Sequence, residues 1–342
     1  MATDAPFDAE DGAPAAASPW PRRIARWAAA GLLGLLALVA LFLVGLNSDA
    51  GRRFVVTQIE KYEFENGMKI GIGRLDGSLY GAMIVRDFSL SDTKGRFLTS
   101  PELRIDWRPF AFLSNHVDVR SATARLINVE RLPEFKPVPD TDEPLLPDID
   151  IDVSRLEVDR IVFAPAVAGE RQEARLSGKI AIADRRAQVS ADAETIGANA
   201  KGDTLNLLLD AVPEQNRLAM TLDMRAPAGG VLAAMGGFSE PLIAKLDGRG
   251  DWKAWNGTLT ANLGADPLAR IALTARNGEF AAKGEAQPAR LLAGASAALF
   301  SPKTDIDLKA RLAERKADLD GRLSSEAFRL GISGGVDLGT NR

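Results

Sequence analysis

Hydrophobic and polar residues alternate with a period of two through most of the chain after Met68. Between Ala174 and Ile182 every even position is apolar or glycine, while the odd positions include Arg175 and Lys179. Because successive side chains of a β-strand point to opposite faces, this pattern predicts strands with one apolar face. The positions that we predict to line this shared apolar surface are Leu176, Ile180, Ile182, Leu205, Leu207, Leu209, Leu218, Met220, Leu222, Ile306, Leu308, Leu330 and Ile332.

The alternating runs are about 5–8 residues long and are separated by turn residues at intervals of about 10–13 residues. This spacing predicts a mainly β protein built as a long antiparallel meander with one apolar and one polar face. The dipeptide Asn256-Gly257 predicts a hairpin turn within it, with Trp252 and Trp255 beside the turn.

Three stretches interrupt the alternation and predict short helices. The first begins at Asp49 and extends to about Tyr62, with apolar residues at helical spacing. The second covers residues 230–235 between two glycine pairs, and the third is the alanine- and leucine-rich stretch 288–300, a helix or a plug. A proline- and acid-rich stretch at 136–147 marks a seam between an N-terminal helix-plus-β unit, 48–135, and a longer repetitive β part, 148–342.

A one-sided meander of this length has two possible shapes. Two sheets can pack face to face as a sandwich, or one sheet can curl into an elongated groove with the apolar face inside. Only 6% of the residues are aromatic, so the apolar face consists mainly of small aliphatic side chains. This composition favours the groove, a β-taco or solenoid-like arrangement, and leaves the sandwich as the alternative.

Residues 28–46 form a charge-free apolar run, which as a helix would be about 28 Å long and would span a bilayer. Basic residues precede the run, so the positive-inside rule places the tail at 1–21 in the cytoplasm and the body across the membrane. A cleaved signal peptide is the alternative, but its apolar core is usually about 7–15 residues and ends at a small-residue cleavage site. The residues assigned to the predicted anchor at 22–47 are Arg22, Arg23, Arg26, Trp27, Leu32, Leu36 and Leu43.

The composition argues against several functional classes. The net charge of −4 gives no basic surface for nucleic acid. The sequence has no cysteine and one histidine, which excludes disulfides and cysteine-ligated metals and leaves little material for zinc or histidine chemistry. We therefore predict no catalytic site, no metal and no cofactor.

Two polar features were weighed as possible sites. His116 has Asp106 and Asp118 nearby in sequence, but no candidate nucleophile accompanies it, so a surface histidine is the preferred interpretation. The acidic residues between Asp140 and Asp152 lack the spacing and glycine of an EF-hand loop. They are better interpreted as a solvated loop followed by the polar side of a strand.

The N-terminal third resembles the TamB family, inner-membrane subunits of the translocation and assembly module, and more distantly the AsmA-like proteins. An arginine-flanked apolar run and a Lys94-Gly95 turn form part of the resemblance. The other segments that carry it are NSDAGRRF at 47–54, IGRLDGSLYG at 72–81, VRDFSLSD at 85–92, LRIDWRP at 103–109 and ERLP at 130–133. After residue 135 the resemblance rests only on the repeated alternation of apolar and polar residues.

The resemblance implies an inner-membrane-anchored bridge across the periplasm. Such a protein would assist the assembly of outer-membrane and autotransporter proteins and would carry phospholipid through an apolar β-groove. The implied partners are acyl chains or unfolded outer-membrane proteins, and a TamA-like outer-membrane barrel that docks at a C-terminal region expected to be absent here. The alternatives are a passive scaffold that spaces the envelope and, less favoured, an anchored periplasmic enzyme.

Overall fold

The computed structural model describes residues 38, 40–136, 150–183, 186–212, 215–251, 253–292, 294–313 and 316–337. The chain divides into two compact units, residues 1–51 and 52–342. In the first unit, residues 40–46 are helical and include Leu43. The rest of the predicted anchor, with Arg22, Arg23, Arg26, Trp27, Leu32 and Leu36, lies outside the described residues, as does the tail at 1–21.

No helix among the described residues has both the length and the apolar character needed to cross a membrane.

Beyond residues 40–46, the described part of the chain contains four short helices. They are α1 (Asp49–Lys61), α2 (Pro165–Ala168), α3 (Val231–Gly236) and α4 (Gly294–Leu299). Helices α1 and α3 match two of the predicted helices. The third predicted stretch, a helix or a plug, contains a 3₁₀ turn, Pro288–Arg290, and α4. Pro288 begins the 3₁₀ turn.

Eighteen strands of the described residues form one sheet. They are β1 (Lys69–Gly71), β2 (Arg74–Gly77), β3 (Ala82–Asp92), β4 (Gly95–Arg108), β5 (His116–Ala124), β6 (Ile127–Val129), β7 (Asp150–Phe163), β8 (Gln172–Ala183), β9 (Arg186–Ile196), β10 (Thr204–Val212), β11 (Arg217–Ala226), β12 (Leu242–Gly250), β13 (Trp255–Leu263), β14 (Asp266–Arg276), β15 (Glu279–Ala286), β16 (Thr304–Ala313), β17 (Lys316–Ser324) and β18 (Arg329–Asp337).

The strand pairing follows chain order except near β7. Strands β1 and β2 both pair with β3, and β4 pairs with β3, β5 and β6. From β7 to β18 each strand is antiparallel to the next. Strand β7, however, runs parallel to both β5 and β6.

The prediction of a purely antiparallel meander was therefore wrong at one point, and the sheet is mixed. About 20 residues separate Val129 from Asp150, which is long enough for the crossover that parallel neighbours require. This crossover contains the predicted seam at 136–147, of which residues 137–147 lie outside the described residues. The strands before and after the seam belong to the same sheet.

Two apolar clusters lie at the margins of the sheet. Helix α1 packs Val56 against Ile72, Leu75 and Val85, with Ile59 beside them. The spacing of Val55, Val56 and Ile59 on α1 gives the helix the apolar stripe that this contact buries. The second cluster places Ala233 of α3 against a set of sheet residues, Ala226, Leu242, Leu263 and Leu268.

A buried ion pair joins the β3–β4 hairpin to the chain that leaves β6. The Asp92 side chain is fully buried and accepts two hydrogen bonds from Arg131, at 2.5 and 2.7 Å. The backbone N–H groups of Glu134 and Lys94 donate to the same carboxylate. The Arg131 guanidinium, helped by these N–H groups, holds the pKa of Asp92 well below its usual range.

We expect Asp92→Asn to lower the free energy of unfolding at pH 7. A carboxyl whose pKa is lower in the folded protein stabilises the fold above its unfolded pKa of about 3.9 and loses that contribution as the pH falls towards the folded value. Urea unfolding at pH 7 and at pH 3 should therefore show a larger difference between the wild type and the variant at pH 7.

The control for this comparison is Asp320→Asn, which changes an exposed aspartate on β17. It should change stability little at either pH. A difference between Asp92→Asn and the wild type that is the same at pH 3 and pH 7 would show that the charge of Asp92 contributes nothing.

Candidate functional site: the apolar face of the sheet

One face of the sheet carries a row of apolar residues that lie directly opposite one another across sixteen strands. The row follows the strand registers from β2 to β18, with β6 and β1 outside it. Its members are Gly77, Met83, Ile105, Ala122, Leu156, Gly178, Ala191, Leu207, Leu222, Leu246, Leu259, Ile271, Gly284, Ile306, Leu323 and Leu330. We call this the central row.

Parallel rows flank the central row on the same face. On the side of α3 the row consists of Leu75, Val85, Leu103, Ala124, Val158, Leu176, Ala193, Leu205, Met224, Ala244, Ala261, Ala269, Ala286 and Thr304. On the other side it consists of Trp107, Val119, Val153, Ile180, Val189, Leu209, Met220, Gly248, Gly257, Leu273, Ala282, Leu308, Gly321 and Ile332.

We call these three rows, together with a fourth row beside them, the apolar face. The fourth row lies next to the row that contains Trp107, and it extends from Val117 through Trp255 to Gly334. No charged residue stands in the three rows named in full, and Thr304, at one end, is their only residue with a hydrogen-bonding side chain apart from Trp107. The surface therefore offers dispersion contacts and the hydrophobic effect rather than specific polar recognition.

All thirteen residues predicted to line the apolar surface lie on the apolar face. Leu207, Leu222, Ile306 and Leu330 belong to the central row, Ile182 and Leu218 belong to the fourth row, and the other seven belong to the rows on either side of the central row. The registers bring them into contact across neighbouring strands rather than leaving them as isolated strand faces.

Protein elements cover the apolar face unevenly. Near β2–β4 it is covered by α1, and beside β11–β14 it is covered at one margin by α3. Elsewhere most of its large side chains are only partly buried. Phe280, Leu319 and Leu330 are exposed by 44%, 40% and 49%, so apolar surface remains available towards β18.

Trp255 packs across two glycines on the apolar face. An added Cβ at Gly248 would overlap Cζ2 of the indole, and one at Gly257 would lie 2.5 Å from its Cη2. Only glycine leaves room for the ring at these two positions, which explains the Gly-Gly pair in the register of β12 and β13. The indole Nε1 is buried and has no hydrogen-bond partner among the described residues.

This packing overturns the predicted turn at Asn256-Gly257. Both residues lie inside β13, and the connection from β12 covers residues 251–254 instead. There the Asp251 carboxylate accepts hydrogen bonds from the N–H groups of Lys253 and Ala254, both at 2.7 Å. Gly257 is thus required by the neighbouring indole and not by a turn. Trp252 lies outside the described residues.

The opposite face of the sheet is charged, and several of its charges form ion pairs across strands. Lys245 and Asp223 stand directly opposite each other on neighbouring strands and form an ion pair at 2.9 Å. Arg175 and Glu194 do the same. The concave region on this face between β7 and β10 is lined by one base, Arg175, and by four acids, Glu157, Asp159, Asp192 and Glu194.

The polar residues of the two candidate features lie on neighbouring strands, with His116 opposite Asp150 and Asp118 opposite Asp152 in the register of β5 and β7. Asp118 accepts a hydrogen bond from Arg108 at 2.7 Å, and Asp106 is paired with Arg120. His116 has a buried Nε2 without a hydrogen-bond partner among the described residues. Asp150 and Asp152 lie on β7, whereas residues 140–148 are outside the described part of the chain. That part holds no group of three or more potential metal ligands.

Sequence reasoning missed the alanine positions and Trp255. Ala193, Ala244 and Ala261 lie in the row on the α3 side, but alanine gives only a weak hydrophobic signal. Trp255 was assigned to a turn, although it follows the alternation of β13. The pairing of Trp255 with two glycines at even spacing in facing strands is a signal that could have identified it.

We expect Leu246→Ala to destabilise the protein by about 2–3 kcal/mol, since Leu246 is buried in the middle of the central row. The matched change Leu330→Ala removes the same atoms from a half-exposed side chain of the same row. It should cost no more than about 0.5 kcal/mol. Chemical denaturation measures both. Equal losses would show that the face is as well covered at β18 as at β12.

Gly248→Ala should destabilise by about 1–3 kcal/mol, because the new methyl group forces the Trp255 indole out of its place. Gly334→Ala is the control, since it lies on the same face and an added Cβ there meets no atom within 4 Å. Urea unfolding of the two variants tests this. A neutral Gly248→Ala would mean that the indole does not occupy this position.

Comparison with known proteins gives no relative from which to transfer a function. No protein-family model, no curated protein and no solved structure matches this chain. What the apolar face does must therefore be inferred from its own residues.

Proposed function

We propose that the chain is an inner-membrane-anchored periplasmic protein of the TamB type that carries apolar chains along the apolar face of its sheet. The observation that carries the proposal is the central row, which is free of polar side chains across sixteen strands. At the usual strand spacing of about 4.8 Å, this row is about 70 Å long when followed along the sheet. The sequence resemblance gives the proposal its cellular setting.

In this proposal the sheet forms a groove with the apolar face inside. The partial exposure of its side chains supports a groove over a sandwich, because a second packed layer would bury them. Glycine and alanine recur in the rows on both sides of the central row, and their small size leaves room for a guest chain. In the proposal the cargo slides along the groove.

The apolar face favours acyl chains over polypeptide as cargo. An extended peptide carries N–H and C=O groups that need partners when they leave water. The three fully described rows offer no side-chain partner between β8 and β15, and the sheet's own backbone groups there are bonded to neighbouring strands. An acyl chain makes no such demand and gains about 0.8 kcal/mol for each buried methylene. We therefore propose phospholipid as the main cargo and unfolded outer-membrane protein as the second.

The anchor is part of the proposal. It is supported by the charge-free run at 28–46, by the helical conformation of residues 40–46 and by the exposure of Leu41, Phe42 and Val44. Large apolar side chains exposed on a helix are expected where lipid surrounds them. An outer-membrane barrel of the TamA type is the partner that the resemblance implies at the far end of the path.

A photo-crosslinking amino acid at Leu207 or Leu222 should capture phospholipid in cells. Both side chains belong to the central row, where an acyl chain would lie. Mass spectrometry of the purified adduct identifies the cargo. The best-matched control is Leu208, which follows Leu207 in sequence, lies on the opposite face and is half exposed.

Lipid adducts at Leu207 and Leu222 but not at Leu208 support the proposal. Adducts with outer-membrane polypeptide at the same two sites would show that unfolded protein, and not phospholipid, is the main cargo. If Leu207 and Leu222 give no more adduct than Leu208, the apolar face holds no cargo and the chain is a passive scaffold.

A further inference from the structure

An exposed apolar turn lies between β4 and β5, outside the apolar face. It is the 3₁₀ turn Pro109–Ser114, with the sequence PFAFLS. Phe110 and Phe112 are both more than half exposed, and Leu113 is 85% exposed. No charged residue stands between Arg108 and His116. Single exposed hydrophobic residues are common, but three in one short turn mark a contact surface.

The turn is held firmly at its base. The Trp107 indole at the end of β4 donates a hydrogen bond from Nε1 to the Leu79 carbonyl oxygen at 3.1 Å. The Phe110 ring stacks on Tyr80 with their centroids 5.9 Å apart. Asn115, in the left-handed region, ends the turn and donates its N–H to the carbonyl oxygen of Phe112. The apolar tip is therefore presented on a fixed support rather than on a loose loop.

The same support is tied to the beginning of the body. The Arg52 guanidinium donates to the Gly77 carbonyl oxygen at 2.8 Å, immediately before the β2–β3 turn that contains Leu79 and Tyr80. Arg52 follows Leu46, the last residue of the apolar run, by only six residues. Even a fully extended chain of that length spans only about 20 Å.

We propose that the turn Pro109–Ser114 inserts its tip, Phe112 and Leu113, into the membrane that holds the anchor. Phe and Leu are the residues with which peripheral segments enter the boundary between headgroups and acyl chains, while an aromatic ring such as Tyr80 suits the polar edge of that boundary. The proposal rests on the anchor in the proposed function. It adds a second point of contact between the chain and the membrane.

The chain has no cysteine, so one introduced thiol can carry a polarity-sensitive fluorophore at a chosen place. The experiment labels Leu113→Cys in the full-length chain, reconstituted in vesicles of phosphatidylethanolamine and phosphatidylglycerol. We expect blue-shifted emission and strong quenching by lipids that carry a nitroxide near the headgroup end of the acyl chain. Ala254→Cys, in the exposed β12–β13 connection, is the control and should keep water-like emission.

A third label, Val44→Cys, separates this inference from the proposed anchor. If the Val44 label is quenched by lipid but the Leu113 label is not, the turn does not enter the membrane and the anchor still stands. If neither label reaches lipid, the anchor fails and the inference fails with it. A Leu113 label that is protected in native membranes but water-like in pure lipid would identify a protein partner and overturn the inference.

The variant Phe112→Asp gives a second measurement. A charge at the tip should return a label at residue 113 to water-like emission, because a carboxylate resists transfer into the apolar region. Phe112 is more than half exposed, so the midpoint of urea unfolding should not change. Blue-shifted emission that survives Phe112→Asp in a folded protein would contradict insertion of the tip.

Discussion

The structure depends on the two-residue period of the strands being kept in register from one strand to the next. A shift of one residue in any pair would turn an apolar row outwards and put charges such as Lys245 inside. Ion pairs between directly opposite residues on the charged face oppose such a shift. Where the two-residue period is interrupted, a β-bulge returns the following apolar residues to the same face. Strand β7 has such an irregularity between Val153 and Leu156.

The same surface has two roles in the proposed protein. At β2–β4 and beside α3, the apolar face is covered and acts as an ordinary hydrophobic core. Between these places and β18 it is partly exposed, so its hydrophobic free energy is available to a guest. The buried Asp92–Arg131 pair lies at the covered end, where the segments that carry the family resemblance also lie. The segments that carry the resemblance thus lie where the apolar face is covered, and the partly exposed strands after β7 contain none of them.

The strands with strong alternation could be predicted with their faces, because apolar residues or glycine stand at every second position in β8, β10 and β11. The parallel pairing of β7 could not be predicted, because it depends on partner strands that are distant in sequence and no residue near β7 indicates it. Helix 230–235 was predictable from its flanking glycines. The turn assigned to Asn256-Gly257 failed because Gly257 makes room for Trp255, a reason that only the facing strand reveals. The solvent exposure of the apolar face is likewise a property of the whole sheet. The residues of the face could therefore be predicted from the sequence, but their exposure could not.

The parallel pairing of β7 also divides the assembly of the body into local and non-local steps. From β8 onwards every strand pairs with its chain neighbour, so each addition closes only a short loop. Strand β7 must instead find β5 and β6 across about 20 residues, a non-local and therefore slower step. Docking of β7 is therefore the step that joins the meander from β7 to β18 to the first six strands.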